Sequence, residues 1–249
     1  MGILAILAGI STRILMHFVE GEIIAPANLV FSVIPFIAAY FIYKSNPRKS
    51  IVYTITSLFL VSILYINTLP LENKDSIILA QIHLPIFLWV LLGLSFVGND
   101  YKNTLKRLAY LKFNGEFCIL YASMAISGMI LAALTIQLFS ILGMDISEIY
   151  FENVVLFGAS TLSVVASYLI INNLKLTKNI APYLAKIFSP LVLATLFVYL
   201  ITALLIGKNP FVDRNFLLTF NGVLIVVLAV IIYSITEGRN EEKRILLII

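Results

Sequence analysis

The chain of 249 residues is 61% hydrophobic and 12% charged, with a net charge of +4 and a mean hydropathy of +1.02. A soluble domain carries about twice that charge, and no single core of this length hides so much apolar surface. The excess must face lipid, and the basic surplus falls mostly in short loops, where it reads as membrane topology and not as a nucleic-acid footprint.

Residues 2–19 are apolar apart from Arg13 and His17 and form the first expected span. No basic region precedes them and no convincing cleavage site lies before Glu20, so they read as a retained span, not a signal peptide. Charge-free gaps then run from Glu22 to Lys44, Lys49 to Glu72, Asp75 to Asp100, Glu116 to Asp145, Glu152 to Lys175, Lys186 to Lys208 and Arg214 to Glu237. Each holds about 20 or more residues, enough to cross hydrocarbon as a helix. The runs lack the alternation of membrane strands, and only helices satisfy every backbone amide within one segment. The expected fold is therefore all-α, a polytopic transmembrane bundle of about eight spans.

Pro35, Pro85 and Pro190 fall in or near the start of spans. Plain kinks are the preferred reading, with broken helices of the transporter kind as the alternative. Cys118, the sole cysteine, excludes an intrachain disulfide and is expected to be a buried, inert thiol. The chain ends on Lys243-Arg244 followed by five apolar residues, which read as an interfacial tail or the opening of a further span.

With the N-terminus inside, the inner loops hold Lys44, Arg48 and Lys49; Lys102, Lys106, Arg107 and Lys112; Lys175, Lys178 and Lys186; and Arg239, Lys243 and Arg244. The outer loops hold only Lys74, Lys208 and Arg214, so the positive-inside rule places both termini in the cytoplasm.

An internal repeat is expected as well. Ile3-Leu4-Ala5-Ile6-Leu7 resembles Ile130-Leu131-Ala132-Ala133-Leu134, and Ala38-Ala39-Tyr40-Phe41-Ile42 resembles Ala166-Ser167-Tyr168-Leu169-Ile170. Apolar segments match easily by chance, but the loop charge signs agree in order too. The expected organisation is two tandem four-helix repeats in parallel orientation: residues 1–98, a basic cytoplasmic loop 99–115, residues 116–237, and a tail 238–249. Small residues four apart (Ala5 and Gly9; Ser123 and Ser127; Gly128 and Ala132; Ala159, Ser163 and Ser167) are expected at helix contacts.

Arg13 is the costliest residue, at roughly 2.5 to 3.5 kcal/mol near mid-bilayer on insertion scales. His17 lies one turn above it. Gln81, His83, Gln137 and Asn221 fall at a similar depth, in the outer half of their spans. One reading joins Arg13, His17, Gln81, His83, Gln137 and Asn221 around a polar cavity open to the outer face, suited to a small anionic ligand. The other has Arg13 reaching headgroups or Glu20 while the remaining groups bridge helices. No Asp or Glu lies at mid-span, two isolated histidines make no metal site, and Gly158-Ala159-Ser160 lacks supporting flanks. Neither an enzyme nor a metal or other cofactor is expected.

The stretches His83-Leu84-Pro85-Ile86-Phe87-Leu88-Trp89, Leu111-Lys112-Phe113-Asn114-Gly115-Glu116, Phe151-Glu152-Asn153-Val154-Val155, Ala185-Lys186-Ile187-Phe188-Ser189-Pro190-Leu191 and 207–218 carry a resemblance. Together they resemble a family of bacterial inner-membrane proteins known only as domain of unknown function 4153, over about residues 80 to 237. The resemblance implies a bacterial inner-membrane location and a helical fold, and no reaction, ligand or site residue. Within these stretches Asn114 and Glu116 read as the start of span 5, and Lys208, Asp213 and Arg214 as an outer turn capping spans 7 and 8. The leading expectation is a transporter or permease-like protein. The alternative is a scaffold or sensor that binds a partner protein through its basic cytoplasmic loops, chiefly Gly98 to Gly115.

Overall fold

The computed structural model describes residues 1–71, 74–172 and 180–206, and beyond them the isolated positions 217, 221, 222, 224, 225, 228 and 232. Among the described residues seven helical segments are long and apolar enough to cross a membrane, and no strand occurs. The protein is an all-α, multi-pass integral membrane protein. The eighth expected span, 214–237, falls largely outside the described residues, as do Lys175, Lys178, Lys208, Asp213, Arg214 and the C-terminal tail; the described positions from 217 to 232 are helical.

In chain order the elements are α1 (Gly2–Glu20), a 3-10 helix (Pro26–Ser32), α2 (Ile34–Ser45), α3 (Lys49–Thr68), α4 (Asp75–Val97), a short 3-10 turn (Gly98–Asp100) and α5 (Thr104–Ile141). After these come α6 (Ser147–Tyr150), a π-helical turn (Phe151–Val155), α7 (Leu156–Asn172) and α8 (Ala181–Ile206). The chain divides into two compact units, Met1–Tyr121 with Leu156–Leu174, and Ala122–Val155 with Lys175–Ile249. In this division α7 groups with the first four spans.

In the first unit, α1 buries Ala5, Ala8, Gly9 and Thr12, which share one stripe by their three- and four-residue spacing. That stripe lies on α7, where Ser160, Ser163 and Ser167 are buried. A Cβ on Gly9 would stand 2.5 Å from the Phe157 ring and 2.8 Å from the Thr161 hydroxyl, so glycine is what lets these helices approach. Lipid tails are as apolar as the side chains, so close packing and hydrogen bonds must hold the pair. Thr12 donates to the Ser160 hydroxyl, and Thr161 to the Ala5 carbonyl. The expected Ala5–Gly9 stripe is thus a helix contact, and of the expected Ala159, Ser163 and Ser167 stripe the two serines are buried.

A second contact joins α2, α4 and the first turns of α5. The Phe41 ring meets Phe96 and Phe113 edge-on, each at 5.2 Å. Tyr110 packs over Gly93 and donates its hydroxyl to the Trp89 carbonyl at 2.8 Å, while the Trp89 indole donates to Asn114 at 3.0 Å. Residues 104–115, expected as part of a basic loop, are therefore helix packed on α4. The basic side chains that marked them as loop are exposed flanks of a helix whose other face carries buried Tyr110 and Phe113. The helix starts where the Asn103 side chain accepts the Leu105 amide, ten residues before the expected start at Asn114 and Glu116. Glu116 instead lies near Lys112, at 3.7 Å on the same helix. At 38 residues α5 is roughly 57 Å long by the helical rise, almost twice the hydrocarbon thickness. Cys118, expected to be buried, is exposed on it.

In the second unit the later turns of α5 meet α8. Tyr199, fully buried, sits among Leu138, Phe139 and Leu142, with the Phe139 ring edge-on at 6.0 Å. Pro190 lies inside α8, which runs on through it.

Candidate functional site

The second span is broken, and a cleft lies beside the break. Pro26 stands at the start of the seven-residue 3-10 helix and Pro35 in the first turn of α2. Between them Val33 leaves helical geometry, at φ −121° and ψ −58°. Pro35 has no amide hydrogen to return to the Phe31 carbonyl, so the ordinary ladder stops there. Two side chains hold the tighter geometry on the other side. Asn28 donates to the Ala25 carbonyl at 3.0 Å, and Ser32 to the Leu29 carbonyl at 2.7 Å, both three residues back. A 3-10 run this long is uncommon and tends to mark a hinge or a strained sequence. The plain kink expected at Pro35 is replaced by a break between two helix types, whereas Pro85 and Pro190 lie inside continuous helices.

Asn28 is 3% exposed and pairs with Asn67 of α3 through two reciprocal amide bonds, 3.1 Å from Asn28 to Asn67 and 2.9 Å in return. Asn67 also donates to the Ile63 carbonyl at 2.8 Å, which fixes its rotamer. The pair lines a cleft of about 340 Å³ walled by Leu15 and Phe18 of α1, Ile23 and Ile24 of the connecting turn, Phe31 and Ile63. No charged side chain lines it. Such a cleft suits a solute with an apolar body and a neutral group that can exchange hydrogen bonds with an amide.

The six residues expected to form a polar cavity are placed as follows. Arg13 is half-buried and His17 exposed on α1, with the His17 ring 6.0 Å from Phe18. Gln81 is half-buried on α4, one helical repeat from buried Ile77 and Leu84. His83 is exposed on the other side of α4, its Nδ1 2.8 Å from the Leu79 carbonyl of its own helix. Gln137 and Asn221 are exposed and belong to the second unit. None of the six lines the 340 Å³ cleft.

Asn28 and Asn67 escaped the sequence reading because they lie near the ends of their spans, where an amide counts as interfacial. The usable signal was the pair of prolines at 26 and 35 bracketing an asparagine and a serine four residues apart.

At the opposite end of the same unit, the turn 46–48 meets the connection 98–103. Ser45 donates to the Ser95 carbonyl at 3.1 Å, and the Arg48 amide to the Asn99 side chain at 2.9 Å. Gly98 has φ +60°, and a Cβ there would crowd Ser45 at 3.2 Å. Nearby, Asn172 of α7 donates to the Tyr40 hydroxyl at 2.9 Å.

Outside the spans, Asp145 accepts hydrogen bonds from the Ser147 hydroxyl at 2.6 Å and the Ser147 amide at 3.0 Å. These bonds, the hydroxyl's first, hold its carboxyl below the usual range. Among the described residues no cluster of three or more His, Cys, Asp or Glu side chains is placed to hold a metal ion. No family model, curated protein or solved structure matches the chain.

Proposed function

We propose that this membrane protein is permease-like, and that it passes a neutral, partly apolar solute beside its interrupted second span. The observation that carries the reading is the buried Asn28, set in a 3-10 segment and paired with Asn67 on the wall of an uncharged cleft. Broken helices at membrane depth are tolerated where they line a cavity, and transporters place solute sites at such breaks. The reading moves the site from the six residues expected in sequence to the Asn28–Asn67 cleft, and moves the solute from an anion to a neutral molecule. On this orientation the cleft opens at the outer face of a bacterial inner membrane, as the loop charges and the resemblance to domain of unknown function 4153 imply.

The rival, a scaffold binding a partner through Gly98 to Gly115, retains only a short non-α connection, since α5 begins at Thr104.

The test is two-sided thiol labelling. In a Cys118→Ser background, Ile63→Cys, on the wall of the cleft, is treated with a membrane-impermeant maleimide in right-side-out and in inverted vesicles. A permease exposes this position to each side in turn, so labelling is expected in both preparations. Labelling from the cleft side alone, or from neither, overturns the reading.

A further inference from the structure

The end of the first unit that carries residues 46–48 and 98–103 holds a second pocket, of about 330 Å³. Its wall is charged and polar, unlike that of the Asn28–Asn67 cleft. Arg48, Asp100 and Lys102 line it together with Asn99, Asn103, Tyr101 and Ile51. The charges on its wall sum to one net positive. Among the described residues Arg48, Lys102 and Asp100 form no ion pair, and the Lys102 ammonium stands 5.9 Å from the centre of the Tyr101 ring.

Its charged side chains are exposed, and the turns that carry them are tied together. The bond from the Arg48 amide to Asn99 and that from Ser45 to the Ser95 carbonyl tie its two walls, and Asn103 anchors the start of α5. Its level relative to the bilayer follows from its neighbours. Tyr43, Tyr53 and Tyr101 are all exposed at this end, as aromatic side chains are at a lipid–water boundary. Lys44, Lys49 and Lys106 are exposed there too, the pattern of a face turned to anionic headgroups. Two cations converge on one opening at headgroup level, with an apolar wall from Ile51 and Tyr101 beside them.

We propose that this pocket binds the phosphodiester of a membrane phospholipid, with Arg48 and Lys102 on the phosphate oxygens and the first carbons of the lipid along Ile51. A phosphodiester carries one negative charge, which matches the net charge of the wall. Arg48 presents a planar fork to two oxygens, while Lys102 contributes a point charge. Asp100 faces the same space and favours a headgroup with a hydroxyl or ammonium beyond the phosphate. This site is independent of the proposed transport path and stands if that reading fails.

The test uses the full chain purified in detergent, with native mass spectrometry counting bound phosphatidylglycerol as lipid is titrated. Removing a basic side chain near headgroups weakens binding by about fivefold, so Arg48→Gln/Lys102→Gln is expected to lose roughly 25-fold in affinity for the tightest lipid. Asn99→Asp keeps the acceptor for the Arg48 amide, adds a negative charge to the wall, and is expected to weaken the same lipid. Lys44→Gln, at the same end but outside the pocket, is expected to leave it unchanged. Circular dichroism verifies that each variant remains helical. Equal lipid retention by wild type and the double variant overturns the proposal, as does an equal loss in Lys44→Gln, which points to a diffuse charge effect. Displacement of the lipid by millimolar inorganic phosphate, with the same dependence on Arg48 and Lys102, assigns the pocket to free phosphate and overturns the lipid assignment.

Discussion

The second span, Pro26–Ser45, and the fourth, α4, both carry a proline beyond their first residues, yet the second breaks while the fourth runs on. In α4, Pro85 withdraws the donor that the Gln81 carbonyl would receive, and the helix continues, with Leu84, Leu88, Leu91 and Leu92 buried on either side of it. In the second span, Asn28 and Ser32 hold carbonyls three residues back, so the backbone on one side of Pro35 keeps 3-10 geometry. Proline removes a hydrogen bond in both spans, and the polar side chains around it decide whether the helix changes type. A break of this kind brings polar groups and a cleft into the membrane, which a continuous helix does not do.

The largest effect on this contrast is expected from Asn28→Leu. It removes the two bonds to Asn67 and the local bond to Ala25, at a cost of about 1 to 3 kcal/mol, to be read from thermal or denaturant unfolding in detergent. No loss of stability would mean that the amide pair does not hold the break. A smaller loss is expected for Asn67→Leu, about 0.6 to 1.7 kcal/mol, because Asn28 keeps its bond to the Ala25 carbonyl. In α4, Pro85→Ala is expected to change stability by about 1 kcal/mol or less. A large gain there would show that α4 is strained as the second span is. The smallest effect lies outside both spans, at Asp145. Its carboxyl is held below the usual carboxylate range by Ser147, so its contribution to stability is complete above that range and is lost as pH falls through the lower folded value. Ser147→Ala is expected to bring the titration of Asp145 back toward the usual value, followed by nuclear magnetic resonance of the side-chain carboxyl. An unmoved titration would remove Ser147 as the cause.

The spans were legible in the sequence because charge-free gaps of membrane length report the lipid environment directly. The Ala5–Gly9 contact was legible for a similar reason, since small residues at helical spacing leave room for little except another helix. The start of α5 was not. Lys106, Arg107 and Lys112 broke the apolar run, and hydropathy alone does not distinguish a basic loop from a helix whose basic residues line an exposed flank. Tyr110 and Phe113, three residues apart on the buried side, carried the contrary signal. The association of α7 with the first four spans was hidden too, because membership of a packing unit depends on a close approach such as Phe157 over Gly9, which hydropathy does not encode. Asn28 and Asn67 lie 39 residues apart in sequence, and nothing in that spacing announces that two amides from different spans pair.

Backbone hydrogen exchange tests the interrupted span most directly. With the protein in lipid nanodiscs, amides of residues 27–36 are expected to exchange at least about tenfold faster than those of 78–90, since the 3-10 segment and its junction open without disturbing the packed helices. Equal protection of the two segments would contradict the account, for the second span would then be as continuous as α4 and the cleft would have no broken helix to line it.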